Sequence, residues 1–316
     1  MRRFRVLALD GGGIRGAYSA SVLAALESAT HKRCQDYFDL IVGTSTGGII
    51  AIGLGLGLSA AQIRDFYLQK GSVIFPSTGL SSNLLLTIRQ VLKPRRSTDT
   101  LRDSLKDVFQ DRLFGESSRP LVIPTYDAVA GRIFLFKTRH HLRFQYEAGH
   151  KAVDVALATA AAPTYFEAKA LLSGASFVDG GVWANCPALV GLTEATAFFG
   201  VPPQDVDILS VGTTSEPFSI GKGKRRGGVL AWNVTIVKTL MNAQAESALA
   251  HAWLITNAGV HRIDSRVESG RFGMDDARSV TDLVALGEGD ARKKENLDAV
   301  NSRFLAGESA PLSRFY

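Results

Sequence analysis

Short apolar runs that break abruptly at glycine recur along this chain, and each is followed by a longer stretch with helical spacing. Phe4–Leu9 is predicted as a strand that feeds Asp10-Gly11-Gly12-Gly13-Ile14-Arg15-Gly16. Ala17–Ala29 follows as a helix, with Tyr18, Val22, Leu23, Leu26 and Glu27 spaced for one buried face and one wet edge. Leu40–Val42 is rich in β-branched residues and reads as a second, buried strand. Strand, glycine-rich loop, helix and strand make a β-α-β unit, so these two strands are predicted to run parallel.

Further on, residues 71–98 read as a less regular stretch, and Thr98 caps a helix carrying Leu101, Leu105, Val108 and Phe109. Leu121–Tyr126 and Arg132–Lys137 are predicted strands joined by a hairpin-like turn at Val129-Ala130-Gly131. An Ala-rich helix, Val153–Ala162, stops at Pro163. Ser176–Val178 is a short strand ending in Asp179-Gly180-Gly181, and Pro187–Phe199 is a helix closed by Gly200. Val206–Val211 is another buried strand, ending in Gly212-Thr213-Thr214. A basic loop over 221–228 precedes a long helix to about His251, then a strand at Val260–Ile263 and helices near 279–287 and 289–305. No repeat or linker divides the chain, so residues 1–316 are read as one domain, its motif-bearing core at about 4–214 and residues 215–316 completing the fold. The expected fold class is α/β: a central, mostly parallel sheet with helices on both faces, in three layers.

Composition narrows the field only a little. Hydrophobic content of 46% is ordinary for a globular protein. The net charge of +6 suits either plain solubility or an anionic partner, such as a phospholipid headgroup or a nucleotide. Two cysteines, Cys34 and Cys186, form no disulfide framework or zinc pattern and fit a reducing compartment. Met1-Arg-Arg-Phe-Arg-Val runs straight into a strand, which argues against a secretory signal. The longest apolar stretch, Gly47–Leu58, is too short and too Gly-rich to span a bilayer. No cofactor or metal is called for, since no ligand cluster is visible.

The chemistry is concentrated in glycine-rich turns. Gly43-Thr44-Ser45-Thr46-Gly47 follows the second strand, and Gly48–Ile52 reads as the start of a buried helix. Strand, tight Ser-centred turn and helix form the nucleophile elbow G-x-S-x-G, whose helix amides face the Ser oxygen. Gly11-x-Gly13-x-x-Gly16 also matches a dinucleotide-binding fingerprint, and Asp36 falls near the position of a ribose-binding acid. Against that use, Asp10 would bring charge beside a pyrophosphate, and the second strand ends in a serine elbow. The same glycines can instead leave bare amides for an oxyanion, with Arg15 adding charge or bracing the loop. Ser45 needs a base. None of His31, His140, His141, His150, His251 and His261 sits in a strand-end loop with small neighbours, and His140 and His141 read as a solvated basic face. Asp179, at the end of a mini-strand before two glycines, is the better candidate, with a plain Asx-turn as its structural alternative.

Asp10-Gly-Gly-Gly-Ile-Arg-Gly16, Gly43-Thr-Ser-Thr-Gly47 and Asp179-Gly-Gly181, in this order, resemble the three signatures of patatin-like phospholipases. Ala158–Phe166, Val182-Trp-Ala-Asn185 and Ile208–Thr213 are similar to supporting stretches of that family. The resemblance implies Ser45 as nucleophile and Asp179 as its base, a Ser–Asp dyad. It assigns the oxyanion hole to Gly11, Gly12, Gly13 and Thr46, with Arg15, Gly16, Gly43, Gly47, Gly180 and Gly181 in support. Cys186 departs from the pattern, where a second Asn is usual. The opening strand and the length also resemble bacterial phospholipases of anti-phage signalling, which are switched on by a cyclic dinucleotide. That implies a cytoplasmic enzyme acting on phospholipid at the inner face of the membrane, with no DNA or RNA partner and with a homo-oligomer left open. Lys222, Lys224, Arg225 and Arg226 are the candidate anion or activator site, with Arg95 and Arg96; Phe75, Leu80 and Leu84–Leu86 are candidate cover for an acyl groove. A nucleotide-binding protein using the Gly-rich loop and a carboxylesterase that does not act on membranes remain alternatives.

Overall fold

The computed structural model describes residues 3–74, 98–162, 168–170, 174–216 and 229–305, side chains at 229–238 excepted. The predicted strands form within a residue of their expected bounds: β1 (Phe4–Leu9), β2 (Leu40–Gly43), β3 (Leu121–Asp127), β4 (Arg132–Lys137), β6 (Ser176–Asp179), β7 (Val206–Val211) and β8 (Val260–Ile263). A two-residue strand, β5 (Lys169–Ala170), adds to the edge. The sheet order is β5-β6-β3-β2-β1-β7-β8, with β4 paired to β3. From β3 through β2, β1 and β7 to β8 all neighbours are parallel, while β4 and β6 run antiparallel to β3.

Alternation along these strands sorts the core into two faces. Val6, Ala8, Leu40, Val42, Val206 and Ile208 pack against α7 (Ala188–Phe198) and the C-terminal half of α8 (Val229–Ile255). The intervening residues Leu7, Leu9, Ile41, Ile123, Leu209 and Val211 face the other layer. That layer holds α1 (Gly16–Thr30), α2 (Thr46–Gly55), α3 (Ala60–Ile74), α4 (Thr98–Phe109), α5 (Ala152–Ala160) and α9 (Val280–Ala291). Helices therefore cover both faces of a mostly parallel sheet, as three-layer α/β order requires.

Four expectations are corrected. Helix α3 occupies Ala60–Ile74 and so includes the first residues of the stretch read as irregular. Its start is held by Glu27, whose carboxylate accepts the Ala60 N–H at 3.0 Å. Helix α1 has no wet edge over Gly16–Leu26, because α3 and α9 cover its outer side; exposure begins only at its last turn. The C-terminal helices break after Ala291, not near residue 288, because Lys293 is extended ahead of α10 (Lys294–Ala299). His140 is no solvated base: it is buried, stacked on Phe199, and hydrogen-bonded to Glu194 Oε1 at 2.8 Å. Lys137 Nζ meets the other Glu194 oxygen at 2.6 Å, so the acid joins β4 to α7. Pro163, Arg95, Arg96, the 221–226 cations and the candidate groove cover at Phe75, Leu80 and Leu84–Leu86 lie outside the described residues.

Helix α7 approaches the sheet through Gly191, where an added methyl would lie 2.6 Å from Val6 Cγ1 and 3.0 Å from Val42 Cγ2. Gly191→Ala is expected to destabilise the fold by about 1–3 kcal/mol through overpacking. A lowered urea midpoint checks this; an unchanged one would mean that α7 can lift from the sheet without penalty.

Candidate active site

The site follows from how three strands share one edge. β4 covers Val122–Asp127 on one side of β3, so β2 and β6 must both lie on the other. β2 pairs in parallel at Leu121 and Val122, and β6 pairs antiparallel at Thr125–Asp127. Their C-terminal ends therefore point at each other across Ile123 and Pro124. Ser45 follows β2, and Asp179 is the last residue of β6. Ser45 Oγ donates to Asp179 Oδ2 at 2.6 Å, across 134 positions of sequence.

Each partner is held from behind. Ser45 sits at φ 55, ψ −121, a strained conformation for a residue with a side chain. The Ser45 N–H donates to Thr159 Oγ1 at 2.9 Å, and that hydroxyl donates to the Pro124 carbonyl at 2.7 Å, tying the turn to β3. A methyl on Gly47 would fall 2.3 Å from the Leu9 carbonyl oxygen, so only glycine lets α2 begin this close to β1. Gly43 lies against the Gly47 carbonyl, and Gly16 lies against Thr46 Oγ1. Asp179 Oδ1 accepts the Gly181 N–H at 2.7 Å, Gly180 lies against the Pro124 carbonyl, and the Trp183 indole N–H donates to the Thr125 carbonyl at 2.9 Å.

Asp179 is 5% exposed. Burial pushes its carboxyl up to about 6, and the hydrogen bonds from Ser45 and Gly181 offset only part of that. A buried carboxyl with so raised a pKa is a stronger base than an exposed one, as direct proton abstraction from a hydroxyl requires.

The Gly-rich loop lies beside the dyad, with an added methyl at Gly11 falling 3.3 Å from Ser45 Cβ. The Gly11 N–H donates to the Asn185 carbonyl at 3.0 Å, so it is already engaged. Among the described residues the amides of Gly12, Gly13 and Thr46 have no such acceptor. Two side chains set how the loop peptides are turned. Thr213 Oγ1 donates to the Gly11 carbonyl at 3.0 Å, and Arg15 Nε donates to the Gly12 carbonyl at 3.4 Å. Because a peptide is planar and trans, its N–H points opposite its carbonyl, so these bonds turn the Gly12 and Gly13 amides away from Thr213 and Arg15. Arg15 Nη1 also donates to the Thr214 carbonyl at 3.2 Å, so this residue braces the loop.

The dinucleotide alternative fails on position. Asp36 precedes β2, at the end of the sheet opposite the glycines, and cannot reach a nucleotide bound at them. Asp10 is paired to Arg262 Nη2 at 2.7 Å. Sequence reading missed Thr159, Thr213 and Arg262 as contributors. It also missed Tyr67 of α3, whose hydroxyl shares a short hydrogen bond with Thr46 Oγ1. Thr159 and Thr213 lie in the quoted supporting stretches; Arg262 and Tyr67 had no motif around them.

The sequence profile described as "Patatin-like phospholipase" matches residues 7–192. This chain belongs to the patatin-like phospholipase family. It is 36% identical over 258 residues to a "cGAMP-activated phospholipase" of Pseudomonas aeruginosa, covering 78% of this chain and 76% of that one. A protein of the same description from Vibrio cholerae is 34% identical over 277 residues, covering 81% and 78%. A "cUMP-AMP-activated phospholipase" of Escherichia coli is 30% identical over 223 residues, covering 67% and 65%.

An aspartate that serves as base in a patatin-like enzyme must be ionised to accept a proton. kcat/KM is expected to fall about tenfold per pH unit below about pH 6, with a single-proton limb; a limb near pH 7 lost on mutating a histidine would contradict it. The same burial sets a stability prediction. The ionised form is disfavoured in the fold, so Asp179 removes stability as pH rises from 3.8 to about 6, and the full penalty, about 3 kcal/mol, stands above that. Asp179→Asn is therefore expected to abolish hydrolysis while melting no lower than wild type at pH 7.5. A clear drop in Tm would show that the ionised carboxylate stabilises the fold.

Proposed function

We propose that this enzyme hydrolyses acyl esters of membrane phospholipids with Ser45 and Asp179 as a catalytic dyad. The observation that carries the reading is the 2.6 Å hydrogen bond from Ser45 Oγ to a buried carboxylate at the mouth of a loop with bare amides. Asp179 takes the Ser45 proton as Oγ attacks the ester carbonyl. Charge gathers on the carbonyl oxygen, where the Gly12, Gly13 and Thr46 amides and the N-terminus of α2 stabilise it. The protonated Asp179 then gives its proton to the departing lyso-lipid oxygen, leaving an acyl ester on Ser45. Water enters, gives a proton to Asp179 as its oxygen adds to the acyl carbon, and the bond from that carbon to Ser45 Oγ breaks; Ser45 takes the proton back and the fatty acid leaves.

Activity is proposed to be gated by a cyclic dinucleotide, on the strength of the relatives described as cGAMP- and cUMP-AMP-activated phospholipases. No helix among the described residues is long and apolar enough to cross a membrane. The proposed contact with the inner leaflet is accordingly peripheral. β8, α9 and α10 come from the last third of the chain and join the same sheet and core as the motifs, which supports reading 1–316 as one domain.

A chromogenic short-chain ester and phospholipid vesicles, each with and without a panel of cyclic dinucleotides, test the proposal. Wild type is expected to release fatty acid from vesicles at a rate that rises at least tenfold with one member of the panel. Ser45→Ala and Asp179→Asn are expected to release none above background. Cleavage of the short ester alone would point to a carboxylesterase that does not act on membranes. No response across the panel would dispose of the gating.

A further inference from the structure

We propose that Arg262, on the strand supplied by the last third of the chain, and Asp264, the residue that follows that strand, are positioning residues that fix the catalytic loop without touching substrate. The inference rests on the dyad-and-loop mechanism proposed above. Both residues lie outside the 7–192 span of the family profile.

Arg262 projects from β8 beneath the loop and makes three polar contacts. Its Nη1 donates to Ser210 Oγ on β7 at 2.7 Å, and its Nη2 meets Asp10 Oδ2 at 2.7 Å and Asp264 Oδ2 at 3.2 Å. Asp10 is 3% exposed and immediately precedes Gly11, so one guanidinium neutralises the acid from which the loop springs. Asp264 uses its other oxygen, Oδ1, to accept the Thr214 N–H at 2.9 Å. Thr214 in turn offers its carbonyl to Arg15, which holds the Gly12 carbonyl, and its neighbour Thr213 holds the Gly11 carbonyl. Two routes thus leave the Arg262–Asp264 pair and converge on the two peptides whose N–H groups belong to Gly12 and Gly13. One runs through Asp10, the other through Thr213, Thr214 and Arg15. The backbone at Gly212 passes directly over the pair: an added methyl there would lie 2.2 Å from Asp264 Oδ1 and 2.5 Å from Arg262 Nη2. Loosening the pair weakens the side-chain hold on both peptides, leaving the Gly12 carbonyl to the Arg15 backbone N–H at 3.2 Å, and an amide turned away from the developing oxyanion stabilises nothing.

The test uses the full chain. Arg262→Lys keeps the charge but cannot span three acceptors. Asp264→Asn keeps an acceptor for Thr214 but loses the ionic pull on Arg262. Glu194→Gln, at the buried contact of β4 with α7, is the control for loss of a buried acid remote from the loop. On a soluble chromogenic ester, kcat per folded molecule is expected to drop about tenfold or more in both variants, with KM within about twofold. Phosphonylation of Ser45 by an organophosphonate, whose phosphoryl oxygen needs the same amides, is expected to slow in parallel. Glu194→Gln is expected to keep kcat within about twofold even where its Tm falls as far. Should Arg262→Lys fail to fold, Asp264→Asn decides alone. Retained kcat in the folded variants, or a loss matched by the control, would overturn the inference. Ser45→Ala and Asp179→Asn run alongside: if they stay active, the dyad mechanism falls and the inference with it. If they are inactive while the β8 variants keep kcat, only the positioning role is wrong.

Discussion

Everything in this enzyme's site depends on one edge of β3 carrying two strands that approach head-on. A parallel strand delivers Ser45 and an antiparallel one delivers Asp179, and their ends stop just short of collision. Pro124 occupies the gap with its carbonyl turned toward Thr159. Its missing N–H costs no ladder bond there, because neither strand extends far enough to accept one. A one-residue slip of β6 would turn Asp179 to the opposite face of the sheet, so the register of a four-residue strand sets the chemistry.

Burial pushes the carboxyls of both Asp10 and Asp179 up, and what meets each of them differs. At Asp179 no cation among the described residues offsets burial, which raises the basicity of a carboxylate that already accepts the Ser45 hydroxyl. At Asp10 a buried carboxylate is met at once by Arg262, so that acid serves as an anchor. Two aspartates at strand ends of one sheet thus differ in their surroundings: among the described residues one meets a guanidinium and the other does not. Strain at Ser45 and bare amides along the loop complete a centre whose parts are individually unfavourable and are held by the packed layers around them.

Much of this was legible in the sequence because strand ends and glycine turns leave strong local marks. β1, β4, β7 and β8 form at the predicted residues, and the glycine turns that mark Ser45 and Asp179 in the sequence do meet through a hydrogen bond between those two side chains. What escaped was set by tertiary surroundings. α1 carries Ser19 and Ser21, yet both hydroxyls find carbonyls, on Gly212 and Ala17, and the helix is buried all round as far as Leu26. His140 stands among Arg139, His141 and Arg143 in sequence, but a glutamate from a helix over fifty residues away draws it inward. Asp36 matched a spacing, and the spacing carried no information about which end of the sheet it would occupy. Arg262 is a single cation on a half-apolar strand, and nothing local distinguishes it from a solvated one.

The pairing of Asp10 with Arg262 has a consequence for how the protein is made. The acid leaves the ribosome near the start of synthesis and its cation 252 positions later. A nascent or prematurely terminated chain can lay down β1, β2 and β6 and still bury a carboxylate that no countercharge meets. The start of the Gly-rich loop is thus without its ionic anchor until β8 docks on β7.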